Sequence, residues 1–396
     1  MTNPPPATST PSDPDYTEAA RPSASRDDAA TLADALQHWL ATRLGPAAQT
    51  VVTDVSFPAA AGMSSDTVMF RACWRDNEGP VTRRLVARLA PSSEAMPVFP
   101  HYDIGLQAAV MQAVSDHSSV PVPLVYWYER SPDALGREFL VMERVDGDIP
   151  PDVMPYNFES WLLDAHPDER RRLQDSSVDL LVALHGIDDP WVVCPGLADA
   201  PGPMTADAAL RAHVAAQRRY YEWAIADGPR SPLIERAFDH LESDFPAVDG
   251  PAVLCWGDAR IGNVVYRDFR PAAVLDWEMA TLGPGELDLG WMIFLHRFFE
   301  DIAAQAGMPG LPEMLRRKDV SRYYSTCSGK AVRDLDWFIT YAALRQAVIM
   351  FRIQCRTIAF GQATAPSDPD DMIMHRAGLE RMISGTYWTD LDEKGR

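Results

Sequence analysis

The stretch PAVLCWGDARIGNVVYRDFRPAAVLDWE, Pro251 to Glu278, decides how this chain is read. Val253, Leu254 and Cys255 form a short apolar run that stops at Trp256-Gly257-Asp258. Asn263 follows Asp258 by five positions, and a second apolar run, Val264 to Tyr266, starts directly after it. A third run, Ala272 to Leu275, ends on Asp276. Such runs, separated by short polar links, predict strands that lay Asp258, Asn263 and Asp276 along one rim of a small sheet.

Two carboxylates and an amide on one rim suit metal-assisted phosphoryl transfer. One carboxylate orients or deprotonates an attacking hydroxyl, while the amide oxygen and the second carboxylate hold Mg²⁺ against nucleotide phosphates. The plainer alternative is a β-meander with three polar residues at its turns. The spacing D-x-x-x-x-N ahead of a strand-terminal Asp matches the protein-kinase catalytic loop and its metal-binding Asp. The chain resembles the aminoglycoside phosphotransferase and choline kinase-like family, whose pattern runs H-G-D-x-x-x-x-N and then L-D-W-E. Trp256-Gly257-Asp258 stands for the first part, with Trp in place of His, and Leu275-Asp276-Trp277-Glu278 reproduces the second. Thr281 to Trp291 (TLGPGELDLGW) is similar to that family's L-G-D-P-x-x-D-L-A-W.

The resemblance implies an α+β, two-lobed protein kinase-like fold: an N-lobe of antiparallel sheet plus helix, and a mostly helical C-lobe. It implies an ATP- and Mg²⁺-dependent transfer of the γ-phosphoryl group to a hydroxyl of a small molecule. Asp258 is then the catalytic base, Asn263 and Asp276 hold the metal, and Arg260 meets the transferred phosphate or a nearby acid. Asp288 braces the catalytic loop. The blocks look most like actinobacterial members of uncertain substrate, and like the kinase-like domains associated with acyl-CoA dehydrogenases. The acceptor is accordingly an aminoglycoside or macrolide, or a hydroxyacyl-CoA-type metabolite. A catalytically silent kinase-like module that binds a nucleotide or another ligand is the alternative from a different class. A protein kinase is a weaker option, because no D-F-G or A-P-E segment is present.

Composition narrows the partners. A net charge of -20 over 396 residues repels phosphate backbones and argues against nucleic acid. No apolar run is long enough to span a membrane, and the N-terminus lacks a basic-then-apolar signal region, so a cytoplasmic protein is expected. Five cysteines, widely spaced and with no CxxC, argue against disulfides and zinc. The expected assembly is a monomer or homodimer binding a small-molecule hydroxyl acceptor.

Residues 1–26, rich in Pro, Ser, Thr and Ala, read as a disordered tail, 27–146 as the N-lobe and 147–396 as the C-lobe. A helix starting at Asp27 or Asp28 carries Leu32, Leu36, Trp39 and Leu40 at helical spacing. Period-two alternation predicts three antiparallel strands over Val51–Phe57, Thr67–Arg75 and Thr82–Leu89. The turn from Ala59 to Asp66 lies where the resemblance places a phosphate-covering loop, with Ser64 and Ser65 offering hydroxyl and N–H groups. Arg88 takes the place of the family's phosphate-pairing lysine. The next helix, Tyr102 to Asp116, has Gln107 where the family has the pairing Glu, which would leave the guanidinium free for phosphate. Glu143 and Val145, in the lobe connector, edge the adenine through backbone groups. In the helical half, His185 is expected to be a buried structural residue, and Tyr220, Tyr221 and Trp223 to be core. Arg345 and Arg352 share one helix face, either meeting an anionic acceptor or, more commonly for such a pattern, lying in solvent.

Overall fold

The computed structural model describes residues 29–58, 66–91, 96–198, 202–226 and 228–393; Ser64, Ser65 and the expected tail lie outside them. The first half is built on a sheet. Helix α1 (Ala29–Leu44) precedes strands β1 (Val51–Ser56), β2 (Asp66–Asp76) and β3 (Gly79–Leu89). Helix α2 (Ile104–His117) and strands β4 (Val125–Glu129) and β5 (Phe139–Glu143) follow. The strands form one antiparallel sheet in the order β1-β2-β3-β5-β4. Asp76 tightens the β2–β3 hairpin, its Oδ1 accepting from the N–H groups of Glu78 and Gly79 at 2.8 and 3.1 Å.

The alternation of each strand gives the sheet two apolar faces. Val68, Phe70 and Ala72 on β2 and Leu85, Ala87 and Leu89 on β3 are buried with Leu32, Leu36, Trp39 and Leu40 of α1. Ring contacts of Trp39 with Phe139 (5.0 Å) and Trp127 (5.7 Å) close that layer. On the other face Leu140 packs with Ile104 and Ala108 of α2. Further along α2, Val110, Met111 and Val114 belong to the large core of the second half, so this helix joins the two lobes.

Helices dominate the second half. They are α3 (Trp161–Asp164), α4 (Pro167–Leu184), α5 (Pro190–Val193), α6 (Ala206–Ala224), α7 (Pro232–Ser243), α8 (Glu286–Gln305), α9 (Arg317–Ser328), α10 (Leu335–Ala359), α11 (Arg376–Ile383) and α12 (Thr386–Glu393). Helices α8 and α10 cross closely at Gly290, where an added Cβ would stand 2.8 Å from the backbone of Phe338. Tyr220 and Tyr221 are buried as expected, Tyr220 stacking on Trp223 at 6.0 Å. Among the described residues no helix is long and apolar enough to cross a membrane. The architecture is the α+β, two-lobed one.

Between α7 and α8 lie β6 (Val253–Cys255), β7 (Val264–Arg267), β8 (Arg270–Val274) and β9 (Thr281–Gly283). They do not make the single small sheet that their spacing suggested. β7 pairs with β8, while β6 pairs with β9 in a second two-stranded ladder. The reason is that Asp258 to Asn263 carries the chain away from β6 through a one-turn helix, Ile261–Asn263, and β9 takes the vacated edge.

Candidate active site

The loop leaving β6 is fixed from beneath. Asp288, fully buried at the start of α8, accepts from the backbone N–H of Trp256 (2.7 Å) through Oδ2 and of Gly257 (2.8 Å) through Oδ1. His185 closes the brace, its Nε2 lying 3.0 Å from Asp288 Oδ2 and its Nδ1 2.8 Å from the Tyr324 hydroxyl. The expected roles of Asp288 as a brace and His185 as a buried structural residue hold. Ligand atoms of His185, Cys255 and Asp288 lie within 4.8 Å of one another, as in a metal cluster. Each atom already has a protein partner, Cys255 Sγ donating to Pro284 O at 3.4 Å, so the cluster is a hydrogen-bonded brace. At Gly257, φ is 87°, and an added Cβ would stand 1.8 Å from Met279 O, so only glycine fits the turn before Asp258.

Asp258 projects from this turn with its carboxylate held on both oxygens. Asn263 Nδ2 donates to Oδ2 at 2.7 Å and also reaches the Asp258 carbonyl, at 3.2 Å. Trp291 Nε1 donates to Oδ1 at 2.6 Å, and Arg260 Nε lies 3.2 and 3.1 Å from the two oxygens. Arg260 also pairs with Asp152, its acidic brace. Burial alone would lower the Arg260 pKa, but Asp258 and Asp152 outweigh it and hold the guanidinium firmly charged. Since Asn263 spends its donors inward, its Oδ1 makes no hydrogen bond among the described residues and is the atom left for a cation.

Asp276 follows β8 with φ at 60°, a left-handed conformation tolerated by short polar side chains. The carbonyls of Leu275 and Asp276 accept from Trp256 Nε1 at 2.9 and 3.1 Å. The indole standing where the family pattern has His therefore ties the two site loops together. Asp276 Oδ1 takes a hydrogen bond from Arg88 Nη2 (2.7 Å), and the same nitrogen reaches Glu278 Oε2 (2.9 Å). The expectation that Arg88 is free is thus corrected: a guanidinium this buried needs countercharge, and Asp276 and Glu278 supply it. Burial pulls the Arg88 pKa down, and the two carboxylates more than reverse that.

One other expectation changes. Arg345 and Arg352 do not lie in solvent. Arg345 is 2% exposed, stacked over Trp291 at 4.4 Å, and donates to Gly257 O at 3.1 Å. Arg352, also buried, stacks over Trp223 at 4.2 Å and donates to Pro97 O. Glu143 pairs with Leu85 across the sheet, its side chain exposed, whereas Val145 just beyond has no hydrogen bond on either backbone group among the described residues. Trp291, Asp152 and Glu278 belong to the site without having been assigned a role in it, and Arg345 belongs to it through Trp291 and Gly257. The available signal for Arg345 was a lone charge in the apolar run YAALRQAVIMF; Asp152 had none.

Beside Arg260 lies a narrow recess of about 10 Å³, lined by Asp152, Tyr156, Ile261, Met292, Leu295 and Phe299 among others. Tyr156 there is hydrogen-bonded to His296 Nδ1 at 2.7 Å, and burial pushes the His296 pKa down to about 3, keeping the ring neutral. The chain next to it exposes Ile149, Val153 and Met154.

The family model of the phosphotransferase enzyme family matches residues 58–316. Among curated proteins, the probable acyl-CoA dehydrogenase IBR3 of Arabidopsis thaliana is 25% identical over 325 residues, covering 77% of this chain and 36% of that protein. The chain spans about a third of the length of the first curated relatives it matches. Among solved structures, a protein assigned as an aminoglycoside phosphotransferase from Ralstonia eutropha JMP134 superposes with a TM-score of 0.60 at 19% identity, covering 90% of this chain and 98% of that one. A thermostable mutant of aminoglycoside phosphotransferase APH(4)-Ia, in ternary complex with AMP-PNP and hygromycin B, gives 0.53 at 16% identity, covering 89% and 100%.

Proposed function

The chain belongs to the phosphotransferase enzyme family, a small-molecule kinase by class, and on that premise we propose that it moves the γ-phosphoryl group of ATP to a hydroxyl of a hydroxyacyl-type metabolite. The observation that carries the reading is the state of Asp258, one oxygen held by Asn263 and the other by Trp291, with Arg260 across both. A carboxylate fixed this way points in one direction. An acceptor hydroxyl lying against it gives up its proton to Asp258 as the hydroxyl oxygen bonds to phosphorus and the bond to ADP breaks. Mg²⁺, when bound, neutralises charge on the phosphates. Asn263 through Oδ1 and Asp276 through the oxygen not engaged by Arg88 are the residues assigned to hold it. The backbone groups of Val145, unpaired among the described residues, are assigned with Glu143 two positions earlier to the adenine edge, and Ser64 and Ser65 to the phosphates.

The acceptor class rests on two observations. The recess beside Arg260 brings Ile261, Met292, Leu295 and Phe299 against it, and its acid, Asp152, is already paired with Arg260. Apolar side chains also flank it at Val153 and Met154. These surroundings suit an acyl body better than a polycation, in keeping with the acyl-CoA dehydrogenase names of the curated relatives.

Thermal unfolding with and without Mg·ATP, beside an Asp276→Ala variant, tests the nucleotide site, because a ligand of the native state raises the midpoint by mass action. A magnesium-dependent rise that the variant loses is expected. ATP consumption is then followed with hydroxyacyl-CoA esters and with aminoglycosides. Transfer to aminoglycosides alone would overturn the acceptor class. No midpoint shift at millimolar nucleotide would make the chain a silent kinase-like binding module.

A further inference from the structure

Arg88 lies on the face of the sheet that α2 covers, since its cross-strand partner Leu140 packs against Ile104 and Ala108. That helix offers no acid from Ile104 to Ser115; its buried Gln107 makes no hydrogen bond to Arg88. Countercharge comes instead from the other lobe, 188 and 190 residues further along the chain. Asp276 and Glu278 share a single nitrogen, Nη2. The Arg88 side chain is only 11% exposed, and its buried Nε–H has no partner among the described residues.

The two acids are not equivalent. Asp276 is the residue assigned to the metal through the oxygen that Arg88 does not engage, so with a cation bound its charge is shared between the metal and Arg88. Glu278, 10% exposed and 2.9 Å from Nη2, is the partner that is not also assigned to the metal. We propose that Glu278 is a positioning residue: it tethers Arg88 across the lobe boundary, so that the unspent N–H groups of the guanidinium face nucleotide phosphates while the second oxygen of Asp276 is left to the metal. In this chain the anchor of the β3 base has moved from α2 to the strand end of the catalytic lobe. α2 is thereby left to pack, through Val110, Met111 and Val114. A guanidinium suits this arrangement because its planar fork serves two partners at once, which an ammonium does less well.

The proposal rests on the nucleotide site being real, and the test separates the two. Mg·ADP affinity is measured by calorimetry for the wild type, Arg88→Met, Glu278→Gln and the double variant. Glu278→Gln is expected to weaken Mg·ADP by roughly tenfold or more, and the double variant to be within about twofold of Arg88→Met, the non-additivity of residues acting as a unit. Affinity of Glu278→Gln within about twofold of wild type overturns the proposal. So does a double variant whose loss is the product of the single losses, because Glu278 would then act on its own. Chemical denaturation of the same four nucleotide-free proteins supplies the independent arm. Coupled losses of stability support the tether, and additive losses overturn it, even if the wild type binds no Mg·ADP and the phosphotransferase reading falls.

Discussion

The site has two halves that are held in opposite ways. On the catalytic-loop side, Asp258 is fixed by Asn263, Trp291 and Arg260, and the turn beneath it by Asp288, all between Trp256 and Trp291. These groups are buried, apart from the half-buried Arg260, and most of them make more than one hydrogen bond. On the sheet side one guanidinium reaches across the lobe boundary to two carboxylates nearly half the chain away. A local, over-determined network keeps its geometry by itself. The other half exists only while the lobes are docked, so its geometry follows the position of the sheet. The difference separates residues whose loss removes chemistry or folding from residues whose loss changes affinity.

The largest effect is expected at Asp258. Asp258→Asn keeps the volume but cannot take the acceptor proton, so kcat should fall by about 10²–10⁴-fold while Mg·ATP binding, read from the thermal midpoint, is retained. A variant that keeps more than about a tenth of the wild-type rate would break the assignment of base. Next comes the brace. Asp288→Ala strands two buried N–H groups and the His185 ring, and should cost about 3–5 kcal/mol by chemical denaturation. The matched control on the sheet side is Arg84→Ala, which breaks a pair with Asp146 whose side chains are 43% and 59% exposed; its cost should be at most about 1 kcal/mol. Equal losses at the two positions would erase the contrast between the halves. Trp256→Phe sits between them: it keeps an aromatic ring but removes the donor that serves Leu275 O and Asp276 O. About 1–3 kcal/mol should be lost, together with part of the magnesium-dependent midpoint shift, since the carbonyl it releases belongs to Asp276.

The same division decides what the sequence discloses. Asp258, Asn263 and Asp276 are legible because their chemistry needs a fixed spacing along one short stretch, and α1 is legible because Leu32, Leu36, Trp39 and Leu40 repeat with a helical period. The pairing of β6 with β9 is not, because a three-residue strand carries almost no periodic signal and its neighbour is chosen by where Asp288 pins the loop. Trp291 hides for a different reason. An indole on an apolar helix face reads as core, and its one polar atom, Nε1, shows its use only when Asp258 lies 2.6 Å away. Arg88 was recognisable as a base on β3, but not its partners: nothing in 190 intervening residues reports which carboxylate a side chain meets. Gln107 shows only that the partner is not on α2.

The smallest expected effect asks whether the two halves also differ in their response to acid. Three histidines of the helical lobe, His296 buried and His213 and His375 half-buried, are held as neutral rings. Burial lowers His213 and His296 to about 3, with Arg345 and Arg297 respectively adding repulsion, and lowers His375 to about 4 against the opposing pull of the Ala343 carbonyl. Each value lies below the 6.5 of a free imidazole, so the unfolded chain takes up the proton first as pH falls. Their contribution to stability is therefore complete above pH 6.5 and is lost progressively towards pH 3 to 4. Between pH 7 and 6 each ring should cost less than about 1 kcal/mol, and the loss should steepen below that. His375 lies away from the site, with Nε2 on Ala343 O, so His375→Gln should flatten the slope without touching nucleotide affinity. Hydrogen exchange at pH 7 and pH 5 locates the effect: protection should fall in α6, α8 and α10 more than in the β2–β3 hairpin. Uniform loss across both lobes would mean that they unfold as one unit, and that the sheet-side half of the site is no more separable than the catalytic loop.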